Sequence, residues 1–211
     1  GAKQLLAHIH TAQVVETLNG VDIPISKRFS SNMVQAIKRG AYEATESQMV
    51  AGLVCSSDRV LELGAGCGYL ATLAAKAGAS VLAVEADRAM AQSCRNTFEA
   101  NGVKVSLIHA AVHHVTGGTA LLLRAKDFWS SKLVDEASEA TEEVQTVALR
   151  DLLDDHHPSV LVCDVEGSER FLCGTELSTT AGLVRAVVIE THSDELDAQV
   201  SAWLTPQGFV L

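Results

Sequence analysis

The 211 residues carry 16 Lys and Arg against 26 Asp and Glu, a formal charge of −10, and 47% of them are apolar. That content supplies a full core for one domain and sets aside a disordered chain. The acidic balance, without a clustered basic stripe, argues against DNA or RNA as a partner, and no apolar run reaches the roughly 18 residues of a membrane span. Five cysteines without a C-x-x-C pair read as reduced core residues of a cytoplasmic protein rather than disulfides or a zinc site. No secretory signal is recognised.

From the start of the chain, Val14 to Ile25 holds two β-prone runs around Asn19-Gly20, which predicts a two-residue hairpin. A helix is expected from Ser30 or Ser31 to Gly40, and another from Tyr42 to Val54. Strand and helix then alternate. Arg59 to Leu63, Val81 to Glu85 and Val103 to Ile108 read as strands, with helices over Tyr69 to Ala77 and Asp87 to Ala100. Thr116 to Val147 breaks the rhythm and reads as a hairpin-like insertion with a mobile acidic tip around Asp135 to Glu143. A short helix (Leu149 to Asp155), a buried strand (Ser159 to Asp164), a helix (Ser168 to Leu177), a strand (Val184 to Glu190), a helix (Asp194 to Leu204) and a last strand (Phe209 to Leu211) complete the chain. The alternation predicts an α/β fold, doubly wound and Rossmann-like, with a mostly parallel sheet. Residues 1–55 form a hairpin and helical lead-in, and residues 56–211 the ligand-binding domain.

VLELGAGCGYLATLAAKAG is the most informative stretch. A buried strand runs into Gly64-Ala65-Gly66-Cys67-Gly68 and then a helix, whose free N–H groups favour an anionic group. Dinucleotide enzymes favour G-x-G-x-x-G; here the spacing is G-x-G-x-G, and Tyr69 stands where the third dinucleotide glycine would be. That pattern suits a smaller ligand with an amino-acid tail. Glu85 ends the next strand, about twenty residues on, where a carboxylate can accept from both hydroxyls of a ribose. Together these features point to a nucleotide-type cofactor.

The same stretch resembles motif I of the class I methyltransferases. GAYEATE (Gly40 to Glu46), NGVKVSLIHAAV (Asn101 to Val112), VQTVALRDLL (Val144 to Leu153), VLVCDVEGSERFLCG (Val160 to Gly174) and VVIETH (Val187 to His192) resemble, in that order, segments of the FkbM family. The resemblance implies a class I methyltransferase fold, S-adenosyl-L-methionine as cofactor, and methyl transfer to a hydroxyl of a small molecule or sugar. It also implies that the methionine part lies across the glycines and the ribose on Glu85, with the adenine near Ala86, Ala110 and Ala111. Glu62 or Asp164 is expected to pair with the cofactor's amino group. The chain departs from the family in having Glu62 where Asp is usual.

The crevice is expected between the first and fourth strands of a 3-2-1-4-5 sheet. Asp164 and Glu166 stand at its edge as candidate bases, although a helix starting near Ser168 would favour their charged forms. His192 is a third candidate, able to titrate near neutrality. Tyr42, Glu43 and Glu46 are placed to close over the cofactor or substrate. Asp164, Glu190 and His192 are the set that could converge on a metal, but no spacing motif marks such a site and none is expected. Cys67 is read as a packing neighbour of the cofactor. Acceptor selection is expected from the N-terminal hairpin and the insertion. Two other readings stand beside methyl transfer: an NAD-dependent oxidoreductase, and a module that binds S-adenosylmethionine without turnover.

Overall fold

Asn19-Gly20 closes a two-residue turn in which both residues have positive φ, 48° and 77°, the backbone that matches the twist of paired antiparallel strands. The computed structural model describes residues 14–125, 131–166, 168–179 and 182–210, and in it this turn joins β1 (Val15–Leu18) to β2 (Val21–Pro24). The Ser30 side chain accepts from the Met33 amide to start α1 (Ser31–Arg39), which stops at left-handed Gly40. Glu43, also left-handed, precedes α2 (Ala44–Leu53).

Then come β3 (Arg59–Leu63), α3 (Tyr69–Lys76), β4 (Ser80–Glu85), α4 (Arg88–Ala100) and β5 (Ser106–His109). Asp87 caps α4, its Oδ1 accepting from the Ala89 and Met90 amides at 2.8 and 3.1 Å. The chain continues through β6 (Ala111–His113), β7 (Thr119–Leu123), β8 (Lys132–Val134), β9 (Thr141–Ala148) and α5 (Leu149–His156). It ends with β10 (Val160–Cys163), β11 (Ser178–Thr179), β12 (Gly182–Leu183), β13 (Ala186–Ile189) and α6 (Asp194–Leu204).

The central sheet runs β5-β4-β3-β10-β13, parallel throughout, in the order expected from the sequence. Its inner strands β4, β3 and β10 are buried on both faces, which is why they read as nearly unbroken apolar runs. Val60, Val81, Ala83, Val160 and Val162 meet Met33, Ile37, Tyr69, Met90 and Phe98 on one face. Leu61, Leu63, Leu82, Val84 and Leu161 meet Leu149, Leu153, Trp203 and Leu204 on the other. Each buried Leu, Ile or Phe contributes roughly 1.5–3 kcal/mol relative to exposure. The lead-in shares this core, since Leu18, Val21 and Ile23 belong to the first face. Among the described residues no helix is long and apolar enough to cross a membrane.

At the N-terminal ends of the strands Asp58 ties three neighbours together. Its carboxylate accepts from Arg185 Nη2 at 2.6 Å, Ser159 Oγ at 2.7 Å and the Cys55 amide at 2.9 Å. Those residues lead into β13, β10 and β3.

Three expectations need correction. The insertion is a second sheet rather than a loose hairpin, ordered β6-β9-β7-β8, and Glu142 and Glu143 of the expected mobile tip lie within β9. Glu142 is held by Arg88 at 3.4 Å and Arg124 at 3.3 Å, so charge pairing draws this tip onto α4. The helix expected from Ser168 to Leu177 is one 3-10 turn over Glu169–Phe171, because Glu169 turns inward and Gly174, at φ 92°, redirects the chain. Phe209 and Val210 form no strand. Leu211, Gly167 of the DVEG segment, residues 126–130 of the insertion and residues 1–13 of the lead-in lie outside the described residues.

Candidate functional site

The winding reverses between β3 and β10, and beyond their carboxyl ends lies a cavity of about 650 Å³. Open α/β sheets place ligands at this point. Gly64 shows why the turn after β3 is glycine-rich. It sits at φ 81°, and a Cβ there would lie 1.7 Å from the Asp164 carbonyl oxygen. The turn and the end of β10 are pressed together as only a bare backbone permits. Gly68, also at φ 81°, leaves room for Phe98, whose ring would meet an added Cβ at 2.7 Å, so α4 packs against the start of α3.

Glu85 is locked to that turn. Its Oε2 accepts from the Gly66 amide at 2.8 Å and its Oε1 from the Asp87 amide at 2.7 Å. Burial pushes the carboxyl up to about 7, against the pull of those two amides. Each oxygen still has lone-pair capacity for an incoming hydroxyl. Gly64, Gly66, Glu85, Ala86, Ala110 and Ala111 all line the cavity. Ala65 and Cys67 do not; both are buried in the core behind the turn, and burial pushes the Cys67 thiol well up, consistent with a packing role. Gly68 faces α4 instead.

The other wall is acidic. Asp164, Glu166, Glu190 and His192 line it together with Glu43 and Glu46. Nδ1 of His192 lies 2.9 Å from Oε1 of Glu169, a fully buried residue, and Nε2 lies 3.3 Å from both Asp164 Oδ1 and Glu166 Oε2. Two expectations change here. With only a 3-10 turn after Glu166, there is no helix dipole to keep these acids charged. Burial, reinforced by neighbouring carboxylates, instead raises Asp164 to about 6 and Glu166 to about 7. His192 does not titrate near neutrality, because its bond to Glu169 and the charges of Glu166 and Asp164 raise it to about 9. It is an imidazolium at pH 7.

Glu43 is raised to about 8 by burial and by the charges of Asp164, Glu46 and Glu190. Both Glu43 and Glu166 hold positive φ, 46° and 50°, a conformation costing about 1–3 kcal/mol in a non-glycine residue and concentrated at functional sites. Tyr42 lines the cavity too, although its side chain is buried next to the turn, its hydroxyl 3.8 Å from the Cys67 thiol. Glu62 is 3% exposed. It faces a small separate cavity that Glu43, Glu46, Gly64 and Asp164 also line, and its Oε2 meets no hydrogen-bond partner among the described residues.

The insertion contributes Leu122, Ser131, Lys132 and Leu133 to the large cavity. The N-terminal hairpin does not reach it. β2 packs on α3 and α4, and Asn19 Nδ2 donates to the Tyr69 hydroxyl at 2.7 Å; its apolar residues commit it to the core. Sequence reasoning missed Lys132 and Leu133, which lie on a strand too short to carry a period. It also missed Glu169, whose inward turn breaks the helical pattern it was read into.

Residues 60–120 match the Methyltransferase domain family, whose cofactor is S-adenosyl-L-methionine. Over 50 residues the chain is 48% identical to a protein-L-isoaspartate O-methyltransferase of Methylorubrum extorquens and 46% identical to one of Methylorubrum populi. The matches cover 24% of this chain and 22% and 24% of those proteins, so the chain spans under a quarter of the curated relatives' length. A precorrin-6y C5,15-methyltransferase from Geobacter metallireducens shares the fold, with TM-score 0.51 and 12% identity over 89% of this chain and 78% of that one. The family match spans the glycine turn and the strands β3 to β5, and the structural likeness shows the fold.

Proposed function

We propose that the chain is an S-adenosylmethionine-dependent O-methyltransferase of a small-molecule or sugar hydroxyl, working in the cytoplasm and related to the FkbM family. The observation that carries the reading is the Gly66 amide held on Glu85 at the reversal point of the sheet. It fixes a bare backbone and a ribose-accepting carboxylate in one rigid unit. Gly64 and Gly66 would hold the methionine part, Glu85 the ribose, and Ala86, Ala110 and Ala111 the adenine. Glu43 and Asp164 stand where the cofactor's amino group would be met. The fit is supported by a cavity of about 650 Å³ and by the close approach that forbids a side chain at Gly64.

S-adenosylmethionine, when bound, supplies an electrophilic methyl group on a sulfonium. The chain's own work is to orient the acceptor, exclude water and take a proton. Asp164 and Glu166, raised to about 6 and 7, sit near the value that suits proton acceptance at neutral pH. His192, already protonated, is the group that positions them rather than the base. Buried Tyr69 in place of the third glycine disfavours a dinucleotide. The acidic wall disfavours phosphate-rich acceptors.

The reading is tested with isotope-labelled methyl donor and a panel of sugars and hydroxylated metabolites. A labelled product is expected, and Asp164→Asn should cut its formation by about a hundredfold while the melting temperature holds. Wild-type turnover in that variant would remove Asp164 from the site. Cofactor binding with no labelled product on any hydroxyl, amine or carboxyl acceptor would favour the non-catalytic module.

A further inference from the structure

The large cavity does not end at its acidic wall. It shares Lys132, Leu133, Glu166 and Ser168 with a groove of about 510 Å³ that runs between β8, the 3-10 turn and the start of α6. We propose that this groove binds a carboxylate of the methyl acceptor through Lys132 and Arg170, which makes the acceptor a hydroxy acid. The role of acceptor rests on the methyl-transfer reading; the carboxylate site does not.

Charge sets the groove apart in a chain whose formal charge is −10. Lys132 is the only Lys or Arg that lines the large cavity among the described residues, and Arg170 lines the groove beside it. Neither enters an ion pair among the described residues, whereas Arg28, Arg88 and Arg124 do. The groove's acids are more engaged. Glu166 faces His192 Nε2 at 3.3 Å. Glu195 accepts from Gln199 Nε2 at 3.5 Å and stands in the first turn of α6, where the helix dipole favours its charge. Asp135 is the one remaining acid in the lining. Two uncommitted cations thus face one uncommitted acid, the reverse of the balance in the large cavity.

Arg170 is also held in place. Its guanidinium carbon lies 4.8 Å from the centre of the Phe171 ring, and that ring is braced by His113 and His114 at 4.4 and 4.7 Å. Burial, with the charges of His114 and Arg170, lowers His113 below its ordinary value, so its neutral ring supports the cation without repelling it. A guanidinium seated on an aromatic face has less freedom to lose when it forks onto a carboxylate. Lys132 stands at the junction of cavity and groove. An acceptor whose hydroxyl faces Asp164 or Glu166 would bring a neighbouring acid group beside it. A phosphate is disfavoured, because its second charge would meet Asp135 and Glu195.

The test is a titration of the full chain, with S-adenosylhomocysteine present, by glucuronate, galacturonate, gluconate and lactate, each against its neutral carboxamide. At least one acid should bind about tenfold more tightly than its amide, and the preference should shrink as salt is raised. Lys132→Gln and Arg170→Gln should each remove most of it while the melting temperature and the affinity for S-adenosylhomocysteine hold. Lys132→Arg should keep it, as should the exposed control Lys104→Gln. Glucose 6-phosphate should bind more weakly than glucuronate. No preference for any acid, a preference that survives both glutamine variants, or tighter binding of the phosphate would each overturn the carboxylate site. Labelled methyl donor is then offered with the same pairs. Acid-selective binding without labelled product on any of them would contradict the methyl-transfer reading and leave the site standing. Equal product from acid and amide would sink the site and leave that reading intact.

Discussion

The two ends of the central sheet treat acidic residues in opposite ways. At the N-terminal ends, buried Asp58 is surrounded by donors: Arg185 first, then Ser159 and the Cys55 amide, which hold its carboxyl well below the usual range. At the C-terminal ends, Glu43, Glu85, Asp164 and Glu166 are all pushed up, to about 8, 7, 6 and 7, by burial that few donors offset. The first arrangement is complete and serves stability. The second is short of donors, which is how functional sites depart from the satisfied interior.

Substitutions at the two ends should therefore differ in kind. The largest effect is expected at Gly64→Ala, where a Cβ would meet the Asp164 carbonyl oxygen at 1.7 Å in a positive-φ backbone. A loss of about 3–5 kcal/mol should appear in denaturant melts, together with loss of cofactor binding. Wild-type stability there would mean that β3 and β10 are not pressed together as described.

Asp58→Asn comes next, with an expected cost of about 1–3 kcal/mol and no change in affinity for S-adenosylhomocysteine. The folded value of Asp58 is depressed, so its contribution is fully present above the unfolded value near 3.9 and fades as pH falls below it. Melts from pH 7 to pH 3 on wild type and variant should show a gap that narrows towards the acid end without closing. A constant gap would contradict the pairing.

Glu43→Gln should be smaller and of opposite sign. The folded value is raised to about 8, so the folded chain keeps a proton that the unfolded chain releases above about 4.3. Its cost therefore grows as pH rises from about 4 and levels off beyond 8. In cofactor-free protein the variant should match wild type at about pH 4 and gain on the order of 1–2 kcal/mol at pH 8. A variant that loses stability at pH 8 would show that Glu43 is compensated after all.

The same contrast explains what the sequence could disclose. The inner parallel strands were legible because both of their faces are apolar, and the glycine turn because strand, glycines and helix follow one another within one β-α unit, although the contacts that require Gly64 and Gly68 come from Asp164 and Phe98. Glu85 was legible for the same reason. The convergence on His192 was harder to read. Glu169 resembles a helix residue until His192, 23 positions away, draws it inward, and the raised state of Asp164 and Glu166 depends on a helix that does not form. Lys132 and Leu133 reach the cavity through pairing of β8 with β7, a register that three residues cannot announce.

The most direct measurement is a calorimetric titration of S-adenosylhomocysteine into the full chain and into Glu85→Ala. Wild type should bind one molecule saturably, and the variant should lose roughly 1–3 kcal/mol, about ten- to a hundredfold in affinity. No binding by the wild type, or equal affinity in the variant, would contradict the claim that the bare turn and its carboxylate form the cofactor cradle.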